Sequence, residues 1–515
     1  MSKTTLTNPI FYSDVPDVDV IRVGKAYYMV STSMHTFPGC PIMKSENLAD
    51  WEIIGYVFDR LEENAAHNLL DGKGIYGQGS WAASLRHHKD TFYVCFSSND
   101  SKTFYVYKTK DIENGPWERS TIDGIYHDPA LLFDDDRVFV IYGCGEIRIT
   151  ELTEDVTAVK ENGVNQLLME TKKENIGLRC EGCHAHKIDG MYYLLFIEWP
   201  TDGNQRRRQI CYRSQELLGT YERKIIFDDD MGYHNKGIAQ GEIFDTPDGD
   251  WFAMLFQDHD AVGRIPYVLP VEWKDGWPMI GIDGKAPEQM DLAMPAKESK
   301  ALVIPDNFDY QKNELTLNWQ WNHYPDQTKW SLTKRPGFLH LETANITDSI
   351  LTARNTLTQR TEGPRCIASI KMDVSHMKPH DYAGLVALQN SFGTVGITLS
   401  EDSEQYITAT VNNGDGKEEI VEQVTFKGDT VYFKIDFNFD DSIDLAQFYY
   451  SEDGKSWNKI GNDLKMKYTL DHFMGYRVGI FNYAKKQLGG YVDVEYFHYE
   501  KAGFIMNDKK YNSQH

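Results

Sequence analysis

Asp17, Asp128 and Glu181 each precede an aromatic-apolar run by ten or eleven residues, the runs beginning at Tyr27, Val138 and Tyr192. Hydrolysis of a glycosidic bond needs such acids. One protonated carboxyl releases the leaving oxygen, and one ionised carboxylate activates water or attacks the sugar. A third carboxyl nearby raises the pKa of the acid by like-charge repulsion and orients it. Glu181, in the stretch RCEGCHAHKIDGMYYLLFIEW (Arg179–Trp199), is the candidate acid. The same stretch holds Cys180-x-x-Cys183-His184, a spacing that can attach haem or run redox chemistry. It lacks the βαβ setting of a thioredoxin motif, and a reduced pair beside Glu181 is the reading taken here. Ser/His/Asp nucleophilic arrangements, P-loops and Rossmann glycine patterns have no convincing candidate.

The elements that would position these acids form a repeat. A polar or turn segment followed by an aromatic-apolar strand occurs five times: RVGKAYYMVSTS, RHHKDTFYVCFSSND, FDDDRVFVIYGCG, KIDGMYYLLFIEW and DTPDGDWFAMLFQD. The runs start at Tyr27, Phe92, Val138, Tyr192 and Trp251, 46 to 65 residues apart, which is room for four short antiparallel strands each. Each reads as the first hairpin of a blade, with Gly or Asp at the turn. The expectation is an all-β chain opening with a five-bladed β-propeller. Stepping about ten residues back from each run reaches Asp17, Trp81, Asp128, Glu181 and the Gln240–Glu242 segment. Innermost strands surround a central channel, so these positions converge on one axis. Asp128-Pro129 alone would be ordinary turn chemistry. Three acids in phase with a repeat make a site.

Between Gly263 and Pro305 prolines cluster (Pro266, Pro270, Pro278, Pro287, Pro295, Pro305), as expected of a connector. From Asn307 short alternating strands such as CIASIKMDV, YAGLVALQN and VYFKIDF follow, separated by Gly, Asp and Asn turns. They predict a β-sandwich of jelly-roll, concanavalin-like type. The division is a propeller catalytic domain over 1–300 and an accessory sandwich over 301–515, ending in the polar tail MNDKKYNSQH.

A net charge of −24 repels a phosphate backbone and argues against nucleic acid. Seven cysteines do not make a secreted disulfide framework. The N-terminus has no apolar signal core, and no run approaches a membrane span. The chain reads as soluble and cytoplasmic as it stands, or secreted or periplasmic if a signal has been removed. A homo-oligomer is left open.

The run NPIFYSDVPDVDVIRVGKAYYMVSTS resembles the opening of glycoside hydrolase family 43. Further similarity follows in order: FPGCPIMKSENLADWEIIG, SWAASLRHH, HDPALLFDDD, CEGCHAHKIDGMYYLL and QDHDAVGRIPYVLPVEWKDGWPMIG. The sandwich is similar to the accessory domain of xylosidase-like members. This resemblance implies an inverting single displacement, with Asp17 as general base, Glu181 as general acid and Asp128 tuning and orienting Glu181. Trp81 would wall the terminal sugar, and Arg264 would bind a sugar hydroxyl or the catalytic carboxylates. Met34, His35, Phe37 and Gln240 complete the implied substrate-binding set.

Two departures from the family pattern stand out. Met34, followed by His35, replaces an aromatic found in some xylosidase-like members, and it either packs or reshapes the pocket towards furanosides. Many relatives carry a His just before QGG as ligand to a central cation; here that place is Ala239, in GIAQGEIFDT. A His-ligated metal is therefore in doubt, although Gln240 or water leaves room for a hard cation such as calcium. Of the remaining motifs, Arg206–Arg208 reads as a solvated loop and Asp134–Asp136 as a hairpin turn. The expected activity is exo-acting release of xylose or arabinofuranose from xylo-oligosaccharides or arabinoxylan, with no cofactor needed for the chemistry. The alternatives are a non-catalytic glycan-binding propeller with a lectin-like sandwich, or an arabinan-degrading member of the same fold.

Overall fold

The computed structural model describes residues 3–414, 417–469 and 474–502. The polar tail named above lies outside them. Helical structure among the described residues is limited to three short 3-10 turns, at Asp260–Val262, Ile350–Thr352 and Asp440–Ser442. Five four-stranded antiparallel sheets form the propeller, and their first strands are Asp19–Val23, Ser84–His88, Ala130–Asp134, Ile176–Ile188 and Ala239–Asp245. We number the blades I to V in that order. These first strands neighbour one another in a ring that closes from blade V back to blade I.

Every hairpin expected from the repeat is the first strand pair of a blade. The connections Lys89-Asp90 and Asp189-Gly190 have positive φ at both positions (46° and 59°; 50° and 78°). That geometry matches the twist of the flanking strands and suits Asp and Gly. The second strands read as continuous apolar runs because they are buried on both faces between stacked blades; Thr91–Ser98 and Met191–Pro200 are covered almost throughout. Thr4–Thr7 pairs with Gln289–Leu292, and Leu6 and Leu292 pack with Val20 of blade I and Phe244 and Met254 of blade V. The N-terminus thus staples the first blade to the last.

The proline-rich stretch corrects one expectation. Arg264–Lys274 and Trp277–Ile280 are the outer strands of blade V, so the connector begins only after the propeller is complete. Pro266 and Pro270 face away from the Trp251–Asp258 strand. Their carbonyls accept from the backbone N–H groups of Ile10 and Gly281 on that side. The missing N–H groups point the same way and cost no ladder bond.

The second domain is a pair of large antiparallel sheets packed as a sandwich, centred on Asp381–Leu388 and Arg477–Ala484 in one sheet and Arg365–Asp373 and Tyr491–Ala502 in the other. Thr36–Phe37, from a blade I loop, adds an edge strand to the first sheet by pairing with Gln320–Asn322. One apolar cluster runs from Leu255, Ile265 and Tyr267 of blade V to Leu357, Tyr476 and Val478 of the sandwich. A shared sheet and a shared core tie the two domains together.

Candidate active site

Asp17 and Asp128 each stand two residues before the first strand of their blade and have left-handed backbones (φ 51° and 45°). Asp tolerates this region better than most residues. Glu181 lies inside the Ile176–Ile188 strand, where the pairing register shifts on both sides of it. Gly182 follows with φ 67°. Such bulges re-aim a side chain out of the regular alternation.

Asp17 is buried and held from three directions. Thr32 Oγ1 donates to its Oδ2 at 2.6 Å, Gln240 Nε2 donates to its Oδ1 at 3.2 Å, and the Arg264 guanidinium pairs with the same Oδ1. Asp128 Oδ2 accepts the backbone N–H of Gly182 at 2.9 Å and so fixes the turn that carries Glu181. Gln240 ties the two halves together. Besides reaching Asp17, it lies so close to Gly182 that a Cβ there would stand 2.8 Å from the Gln240 Cγ. Only glycine suits that position, for space and for backbone conformation alike.

His127 was not among the residues expected from the sequence. Its Nε2 lies 3.0 Å from Glu181 Oε2 and 3.6 Å from Asp128 Oδ2. The Asp128 charge and then the hydrogen bond to Glu181 raise the imidazole to about 9, so the ring is a cation at neutral pH. Burial pushes Asp128 up to about 6, against the pull of His127. Burial is the largest influence on Glu181 and opposes its ionisation, but the hydrogen bond and charge of His127, with help from Cys144 and Arg264, together hold that carboxyl below its ordinary value. The free site therefore stores its proton on His127, beside the Glu181 carboxylate. The exposed Cys144 thiol is pushed up to about 12, by loss of solvent and then by the Glu181 charge, and is neutral.

Arg264 opens the Arg264–Lys274 strand and is fixed at both ends. Its backbone N–H donates to Asp14 Oδ1 at 2.7 Å, and its Nε lies 3.3 Å from Asp258 Oδ1. Asp258 also pairs with Arg207 and accepts from the Tyr468 hydroxyl of the sandwich at 2.8 Å. Asp14 Oδ2 meanwhile accepts the N–H of Gly475, another sandwich residue. The accessory domain thus supports the arginine that holds Asp17. Asp258, Tyr468 and His127 carry no periodic signal of their own and were not legible in the sequence.

The remaining expected residues divide. Trp81 is half-buried three residues before the first strand of blade II. Met34 pairs backbone to backbone with Ser80, the residue before Trp81, at 2.8 and 3.1 Å. His35 is buried; its Nδ1 accepts from Gly77 N and its ring lies 4.2 Å from Tyr76. Met34 and His35 therefore frame the Trp81 loop. Phe37 does not join them. It is wholly buried between Phe58, His67 and Tyr324, because its edge strand is claimed by the sandwich. Arg206–Arg208 is also not a solvated loop. Arg206 pairs with Asp228 and Asp230, Arg207 with Asp258 and Arg208 with Glu198, and the first two are buried. Cys180 and Cys183 are free thiols in the apolar core between blades III and IV.

Among the described residues, two groups bring potential metal-ligating atoms within 4.8 Å of one another: His127, Asp128 and Glu181, and, deeper on the axis, Asp19, His184 and Glu242. In the first, the His127 ring pairs with Glu181 at 3.0 Å. No helix among the described residues is long and apolar enough to cross a membrane.

A propeller with acids gathered on its axis, joined to a concanavalin-like sandwich, defines a class of carbohydrate-active enzymes. The model "Glycosyl hydrolases family 43" matches residues 6–278, and "Beta xylosidase C-terminal Concanavalin A-like domain" matches residues 306–500. The chain belongs to glycosyl hydrolase family 43 and is a glycoside hydrolase. It is 29% identical to a protein of Formosa agariphila named "Beta-xylosidase", over 97% of this chain and 91% of that one. It is 26% identical to a "Non-reducing end alpha-L-arabinofuranosidase" of Bacteroides ovatus, over 79% and 78%. A solved structure from Bacteroides eggerthii, "Bifunctional GH43-CE", superposes with a TM-score of 0.90 at 44% identity. That match covers 97% of this chain and 64% of the longer one, so this chain spans about two thirds of it.

Proposed function

We propose that this enzyme releases xylose or arabinofuranose from the non-reducing ends of xylo-oligosaccharides or arabinoxylan fragments by an inverting displacement. Asp17 deprotonates the attacking water and Glu181 protonates the leaving oxygen. Asp128 positions Glu181 through Gly182 N–H, and Arg264 pairs with Asp17 and orients it. The observation that carries this reading is the Gln240 side chain, which joins the base at Asp17 to the turn of the acid at Gly182. Base and acid are thereby fixed in one frame, as a single displacement requires. β-Xylose and α-L-arabinofuranose present similar shapes and hydroxyls, and relatives bearing names for each support either sugar.

Hydrolysis of nitrophenyl β-xyloside and nitrophenyl α-L-arabinofuranoside by the wild type tests the sugar class; turnover of neither overturns it. NMR of the first product distinguishes the stereochemistry, and retained anomeric configuration would refute Asp17 as base.

A further inference from the structure

The deeper axial cluster has the ligand types of a cation site, yet Arg86 bridges its two carboxylates. This side chain comes from the first strand of blade II and reaches both axial carboxylates. Its Nη1 donates to Asp19 Oδ1 and Oδ2, each at 3.0 Å, and its Nη2 lies 3.0 Å from Glu242 Oε2. The other oxygen contacts are also spent. Asp19 Oδ2 accepts the backbone N–H of Leu85 at 2.9 Å. Glu242 Oε1 accepts from Ile243 N at 2.8 Å and meets the His186 ring. Asp19 and Glu242 are almost fully buried. Ala239, where relatives carry a metal-ligating His, adds only a buried methyl.

Calcium takes six to eight oxygen ligands at about 2.3–2.6 Å. Three of the four carboxylate oxygens accept a guanidinium, imidazole or backbone N–H hydrogen bond, and the fourth, Glu242 Oε2, is buried and faces Arg86 Nη2 at 3.0 Å as an ion pair without a hydrogen bond. A divalent ion would have to displace a guanidinium that two carboxylates hold. The residues present do not fit the family's central metal. Burial penalises each charge, and the pairing answers it: the two carboxylates drive Arg86 above its ordinary value despite desolvation, and His186 and Arg86 hold Glu242 well below the usual carboxylate range.

We propose that Arg86 is the built-in cation of the propeller axis, bracing blades I, II, IV and V in place of a metal ion, so that fold and activity are metal-independent. The brace lies directly under the site: Asp19 is two residues from Asp17, Glu242 two from Gln240, and His186 five from Glu181.

Metal analysis of the full chain after dialysis against EDTA, with melting temperature and nitrophenyl glycoside turnover before and after calcium addition, tests this. The expected result is substoichiometric metal, with unchanged melting and turnover in every condition. A stoichiometric divalent ion in the wild type, or a melting temperature that falls on chelation and returns with calcium, overturns the proposal. Arg86→Ala exposes the latent ligand set. It should melt lower than wild type and gain about 3 °C or more when calcium is added well above its Kd. A folded Arg86→Ala that ignores calcium also overturns it. Arg86→Lys keeps a cation on the axis and should stay calcium-insensitive. The wild-type metal content decides the matter even if Arg86→Ala does not fold.

Discussion

Two clusters of acids share the propeller axis, and they differ in how completely they are paired. In the deeper one, Asp19 and Glu242 are each only 1% exposed, three of the four carboxylate oxygens accept hydrogen bonds, and Glu242 Oε2 faces Arg86 as an ion pair at 3.0 Å. In the upper one, Asp128 and Glu181 keep 12% and 23% of their side chains open to solvent, with the half-exposed His127 as their cation. The residue types are nearly the same. Burial and the Arg86 ion pairs make the lower cluster a brace, whereas the upper cluster stays partly open to solvent.

The largest effect that would break this contrast is loss of a reacting group. Asp17→Asn or Glu181→Gln should reduce turnover of xylobiose by roughly 10²–10⁴-fold. For the Glu181 variant the loss should be smaller with nitrophenyl glycosides, whose leaving group needs little protonation. Equal losses on both substrates would remove Glu181 from the role of acid.

Next in size is the brace. Arg86→Leu leaves two buried carboxylates without their shared cation, and urea or thermal denaturation should show a loss of about 3–5 kcal/mol. A loss below about 1 kcal/mol would place Arg86 among ordinary surface-type pairs.

A smaller, diagnostic change belongs to His127. Because His127 holds Glu181 below its ordinary value, His127→Gln should let the acid rise and move the basic limb of kcat/KM to higher pH. The shift should be roughly half to one unit, the size an ion pair of about 1 kcal/mol implies. An unmoved limb, or one moved down, would contradict it. The stability sign is separate. The folded pKa of His127 is raised above its ordinary 6.5 to about 9, so its contribution is complete below pH 6.5 and fades as pH climbs through about 9. The melting-temperature gap between wild type and His127→Gln should close over that window.

The smallest effect tests the accessory domain. Tyr468→Phe removes the hydroxyl donated to Asp258 and should lower kcat several-fold with little change in KM, since it acts through Arg264 on the base. A change in KM alone would make Tyr468 a substrate contact instead.

Legibility followed contact range. The acids and Trp81 were visible because each stands at one phase of a local repeat whose second strand is buried on both faces. Phe37 was misplaced because the family resemblance says nothing of the strand that covers it, and the Arg206–Arg208 run because its local pattern is that of a loop. What settled them was a sandwich strand at Gln320–Asn322 and the carboxylates Asp228, Asp230, Asp258 and Glu198. The prolines of blade V misled for a related reason, since only the pairing shows which side of a strand lacks its donor.

By itself the sequence determined the all-β class, the five hairpins, the family and the acids that meet on the axis, because strand alternation and turn chemistry act over a few residues. Only the tertiary structure decided which cation each acid receives. Arg264 reaches Asp17 and Gln240 joins Asp17 to Gly182 across more than 200 residues of chain, and Arg86 spans blades I, II and V. Charge pairing depends on distance in space and on burial, and neither is written in the local order of residues.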